Sequence, residues 1–85
     1  MNPFHVSMRS YGSICCIRVD GTGNADWLLR RLGEAFVFKN CEPLRQELDT
    51  SYCTFRIACG PQVTDASLAR LLKSFSEVRL TIETD

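Results

Sequence analysis

The chain has 85 residues and a mass of 9.6 kDa, with 45% hydrophobic and 24% charged side chains, which fits one compact domain and excludes the disordered and fibrous classes. A chain this short buries roughly 60–65% of the surface it exposes when unfolded, too little for two separate cores. Ten basic residues balance ten acidic ones with the signs mixed throughout, so binding through a basic or acidic tail is excluded and any charged patch must be created by the fold.

Residues 1–10 show no regular pattern, and Asn2-Pro3 reads as a turn, so the expectation is an irregular N-terminal arm followed by a single α+β domain over 11–85. The one histidine, His5, falls in that arm without a cysteine or acid at a useful spacing and is expected as an exposed side chain. From Ser13 to Asp20, β-branched and small apolar residues crowd into a first strand. A period of two turns Cys15, Ile17 and Val19 toward the core and Ile14, Cys16 and Arg18 away from it.

Gly21-Thr22-Gly23 then permits a turn into a first helix, with Asn24 as N-cap and Asp26 in the first turn. Leu28, Leu29 and Leu32 form its buried stripe, Trp27 flanks that stripe, and Gly33 is expected either to end the helix or to mark a close packing point. Phe36-Val37-Phe38 has strand character. After Pro43, Leu44, Gln46 and Leu48 alternate with Arg45, Glu47 and Asp49, which fits an exposed edge strand, although one or two helical turns after the proline fit the same letters.

Tyr52 to Cys59 alternates most cleanly. Cys53, Phe55, Ile57 and Cys59 point one way and Tyr52, Thr54, Arg56 and Ala58 the other, as in a central strand covered on one side, and Gly60-Pro61 stops it. Thr64 caps a second helix with Leu68, Leu71, Leu72 and Phe75 at helical spacing. The last strand, 76–84, places Val78, Leu80 and Ile82 inward and Arg79, Thr81 and Glu83 outward.

The order strand, helix, strand, strand, helix, strand predicts a ferredoxin-like βαββαβ plait, an α+β fold with a four-stranded antiparallel sheet in the order 4-1-3-2. Both helices then cover one face. The opposite face stays open and gathers Arg18, Tyr52, Arg56 and Arg79 as a candidate interface or nucleic-acid surface. For single-stranded nucleic acid, arginines would hold phosphates and Tyr52 would stack on a base, but only one aromatic is expected there and Glu47 and Glu83 oppose phosphate.

Other chemistry is sparse. The Gly21/Gly23 turn lacks the third glycine of a dinucleotide fingerprint and the Gly-Lys-Ser/Thr of a phosphate loop. Five cysteines, Cys15, Cys16, Cys41, Cys53 and Cys59, include no Cys-x-x-Cys pair, and the adjacent Cys15 and Cys16 point to opposite faces of a strand, so no metal or cofactor is expected. Cys16 alone would reach the open face, where arginines favour a thiolate, which makes it the candidate redox group. The odd cysteine number and the absence of a leader-like opening lead to the expectation of reduced thiols in a cytoplasmic protein. No apolar run approaches the roughly 18 residues of a membrane span.

The segment Val19-Asp20-Gly21-Thr22-Gly23-Asn24-Ala25 resembles the strand-end loop of the small-molecule-sensing regulatory domains known as ACT domains, where loop, helix start and a dimer contact enclose an amino acid. That resemblance implies Asp20, Gly21, Gly23 and Asn24 as ligand-binding positions. Asn24-Ala25-Asp26 intervenes where the family packs a hydrophobic residue soon after the loop. The functional expectation is a small non-catalytic protein-interaction or regulatory module, a homodimer or part of a complex, with small-ligand sensing and single-stranded nucleic-acid binding as alternatives.

Overall fold

Alternation builds the strands and recurring leucines build the helices, and burial selects which face of each turns inward. The computed structural model describes residues 2–35, 41–42, 52–58 and 63–83. In chain order these form β1 (Phe4–Tyr11), β2 (Ile14–Asp20), α1 (Thr22–Ala35), β3 (Cys41–Glu42), β4 (Tyr52–Ala58), α2 (Asp65–Ser74) and β5 (Val78–Glu83). The radius of gyration is 11.9 Å. A compact chain of this length is expected at about 12 Å.

The largest departure from expectation lies at the N-terminus. Residues 4–11 are a strand and not an irregular arm. Phe4, Val6 and Met8 are buried on the core face, while His5, Arg9 and Tyr11 alternate with them on the other. Gly12 and Ser13 close a two-residue hairpin into β2, with Tyr11 opposite Ile14. Gly12 has φ 60, the position and sign that a type II′ hairpin turn gives to glycine.

This hairpin changes the sheet. Its order is β3-β4-β2-β1-β5, five strands in place of four. The expected 4-1-3-2 arrangement survives only with β1 inserted between its strands four and one. Because β1 already occupies the free edge of β2, β5 pairs with β1 instead, with Phe4 opposite Val78 and Met8 opposite Ile82. That pair is parallel, whereas β1–β2, β2–β4 and β3–β4 are antiparallel. The sheet is therefore mixed and the domain only loosely a ferredoxin-like plait. The expected strand at 36–38, the edge strand over 44–48 with Arg45 and Glu47, the 49–51 connection, Cys59 and the Gly60-Pro61 stop lie outside the described residues.

One core joins the layers. Val6, Ile17, Val19, Phe55 and Ile57 from the sheet meet Leu28 and Leu32 of α1 and Leu68 and Leu72 of α2, all essentially inaccessible to water. Each such side chain contributes about 2 kcal/mol of burial free energy. Both helices thus cover the same sheet face. Ile82 shares that face in register but stays 46% exposed on the edge strand β5.

Helix α1 starts earlier and runs longer than expected. Gly21, with φ 89, alone separates it from β2, and Asn24 sits inside its first turn, where Nδ2 donates to the Asp20 carbonyl at 2.9 Å. Asn24 is therefore not the residue before the helix. Gly33 neither ends α1 nor packs closely, since a Cβ there would meet nothing within 4 Å. Trp27 packs edge-to-face between Phe4 and Phe75, at centroid distances of 5.7 and 5.8 Å, and so ties α1 to both β1 and the end of α2. Helix α2 begins as expected at Thr64, whose Oγ1 accepts from the Ser67 amide while the Thr64 amide donates to Ser67 Oγ. This reciprocal pair satisfies two amide groups that the helix start leaves open.

Candidate functional site

The sheet face away from the helices holds the densest set of functional side chains among the described residues. Pairing aligns them in rows across the strands, because register partners share a face. One row runs Arg56, Cys16, Arg9, Glu83, with Glu42 the register partner of Arg56. The next runs Thr54, Arg18, Ser7, Thr81. A third holds Tyr52 opposite Asp20 and His5 opposite Arg79. At the hairpin end Ile14 stands between Ala58 and Tyr11.

All four residues expected on this surface are in strands that place them there, but they do not converge on one point. Arg18 and Arg56 sit diagonally on neighbouring strands. Arg79 is displaced, because β1 stands between β2 and β5 where direct contact was expected. Two interstrand steps, about 10 Å, now separate the β2 and β5 backbones.

Inserting β1 supplies four side chains that the sequence reading left off this face: His5, Ser7, Arg9 and Tyr11. The available signal was the alternation Phe4, Val6, Met8 followed by Gly12-Ser13, a two-residue hairpin dipeptide. His5 is exposed as expected, yet it has an acidic neighbour. Its Nδ1 lies 3.7 Å from Asp20 Oδ2, and its Nε2 hydrogen-bonds Thr81 Oγ1 at 2.7 Å. Sequence spacing hid this pair because the acid arrives across the hairpin.

Each tyrosine carries an arginine. The Arg18 guanidinium lies 4.2 Å from the Tyr52 ring centroid, with Nε 3.7 Å from Asp20 Oδ1, and the Arg9 guanidinium lies 5.2 Å from the Tyr11 centroid. Cation–π contact and ion pairing hold these flexible side chains over the sheet, so less freedom is lost when a ligand binds.

Charge is distributed unevenly between the two sides. On the described helices and the turn after α2, Arg30, Arg31, Arg70 and Lys73 are matched by Asp26, Glu34, Asp65 and Glu77. The described side chains of the sheet face instead set Arg9, Arg18, Arg56 and Arg79 against Asp20 and Glu83. Among the described side chains, positive charge therefore outnumbers negative on the sheet face and balances it on the helices.

The remaining candidates fall elsewhere or stand alone. Asp20 and Gly21 form the β2–α1 junction, whereas Gly23 and Asn24 belong to the first turn of α1 with the Asn24 amide committed to the junction. A Cβ at Gly21 would approach Asn24 Nδ2 to 2.6 Å, so glycine there serves the tight entry into the helix. Cys16 is half-buried and free, with Arg9 and Arg56 as its register partners. Cys15 and Cys53 are buried, with Cys15 Sγ 3.8 Å from Ser10 Oγ and Cys53 Sγ 3.9 Å from the Thr54 carbonyl. Among the described residues no group of three or more His, Cys, Asp or Glu could hold a metal ion, and no helix is long and apolar enough to cross a membrane. Comparison of the chain with protein-family models, with curated proteins and with solved structures finds no match.

Proposed function

We propose that this chain is a small interaction or regulatory module of the cytoplasm, without catalysis of its own, that works through the open face of its sheet. In this reading a ferredoxin-like plait, widened by the inserted N-terminal strand, uses its helices only as structural backing. The face then docks on a second copy of the chain or on a partner within a complex. One observation carries the reading: four arginines and two tyrosines share the face that the helices leave uncovered. Tyrosine and arginine are the residue types that dominate binding energy at protein surfaces.

Differential arginine labelling in cells producing the protein tests it. A dicarbonyl reagent modifies guanidinium groups, and mass spectrometry compares labelling in the cell with labelling of the purified, dilute protein. Arg18, Arg56 and Arg79 are expected to be protected in the cell, while Arg30, Arg31 and Arg70 on the helices serve as internal references. Equal labelling of both sets would remove the open face as the working surface.

A further inference from the structure

We propose that the occupant of the open face is a single-stranded nucleic acid, laid obliquely across β4, β2 and β1. This goes beyond the reading above and rests on it only for the choice of working face. Tyr52 pairs with Asp20 and Tyr11 pairs with Ile14, so the two aromatics stand at opposite ends of β2 and on opposite sides of it. Six residues along a strand and two interstrand steps put them about 22 Å apart. Arg18, Arg56 and Arg9 occupy the ground between. Such a track, with an aromatic at each end and cations between, suits a short run of nucleotides whose bases stack while their phosphates are held.

The residue chemistry favours this ligand. All four cations on the described face are arginine, whose planar fork grips phosphate in two places and whose flat surface stacks on bases. The Arg18 guanidinium lies beside the Tyr52 ring and that of Arg9 beside Tyr11, so each end of the track offers a ring for a base next to a cation for its phosphate. Asp20 fixes Arg18 from the side, and Glu83 lies on the β5 edge, off the path between the tyrosines. The face offers strands where groove reading of a duplex calls for a protruding helix or ribbon, so unstacked bases fit it better than paired ones. A second copy fits less well, since two-fold pairing of this face would bring arginines against arginines.

Fluorescence anisotropy with labelled oligouridylate and oligothymidylate of about ten nucleotides, and with a duplex of the same length, tests the proposal. Single strands are expected to bind more tightly than duplex. Three phosphate contacts predict a loss of roughly 20-fold in affinity for a fourfold rise in salt. Arg56→Glu and Tyr52→Ala are each expected to weaken binding about tenfold or more, whereas Arg70→Glu on α2 leaves it unchanged, with circular dichroism confirming that every variant folds. Absence of binding, equal affinity for duplex, or equal loss in Arg70→Glu would overturn the proposal. Sedimentation of the same samples separates the two levels of inference. A dimer abolished by Arg56→Glu, without oligonucleotide binding, would give the face to a second copy and leave the interaction reading standing. If neither forms and the cellular labelling shows no protection, both readings fall.

Discussion

Replacing Val6 by alanine asks directly whether the first residues of the chain belong to the sheet. Val6 is fully buried at the centre of β1, opposite Val19 on one side and Leu80 on the other. The substitution removes two methyl groups' worth of buried hydrocarbon, about 1.6 kcal/mol at roughly 0.8 kcal/mol each, and the incompletely closed gap raises the cost to about 2–3 kcal/mol. In a domain of this size that lowers the thermal midpoint by roughly 8–24 °C. Urea unfolding followed by far-UV circular dichroism measures the free energy. Its denaturant slope should stay unchanged, since the same surface is exposed in both proteins. His5→Ala, one position earlier and on the exposed face, supplies the contrast and is expected to cost under about 1 kcal/mol, the loss of an exposed hydrogen bond to Thr81 and of a solvent-screened contact with Asp20. A Val6→Ala change below about 0.5 kcal/mol, the usual range for surface substitutions, would refute the placement of β1 and with it the presence of Arg9 and Tyr11 on the open face.

Other substitutions probe the joints of the fold. Gly33→Ala should stabilise the protein by about 0.5–1 kcal/mol, because Gly33 is interior to α1, exposed, and a Cβ there meets nothing; calorimetry showing a lower midpoint would contradict a helix running through to Ala35. Thr64→Ala removes one side of the capping pair and is expected to cost about 1 kcal/mol in chemical denaturation. Gly21→Ala meets both a left-handed backbone and the Asn24 side chain, and should destabilise by at least about 1 kcal/mol. Phe4→Ala strips one of the two rings packed against Trp27, so its fluorescence emission should shift to longer wavelength in the folded protein; an unchanged spectrum would place Phe4 away from the helix.

Much of the secondary structure was legible in the sequence, and for a local reason. The burial expected from alternation holds at Cys15, Ile17 and Val19 and at Cys53, Phe55 and Ile57, and Thr64 caps α2 as read. In these segments the face that packs is written in the spacing of apolar residues within a few positions. The same rule fails at Ile82, which has the inward register on the edge strand β5 yet stays exposed. It fails again at Asn24 and Gly33, where the helix boundary was set by the geometry at Gly21 and by continuation of α1, not by the residues that usually mark helix ends.

The candidate face divides along the same line. That Arg18, Tyr52, Arg56 and Arg79 point away from the core follows from their positions in alternating strands, and the sequence determined that much. Which of them stand together did not follow, because neighbourhood across a sheet depends on which strand takes which edge. The β1–β2 hairpin took the edge of β2 that β5 would otherwise have met, carried His5 to Asp20, and set Arg9 and Tyr11 into the open face. A strand's period is encoded in its own side chains, whereas its partner is chosen by competition among all strands for backbone hydrogen bonds. Only the tertiary structure records the outcome of that competition.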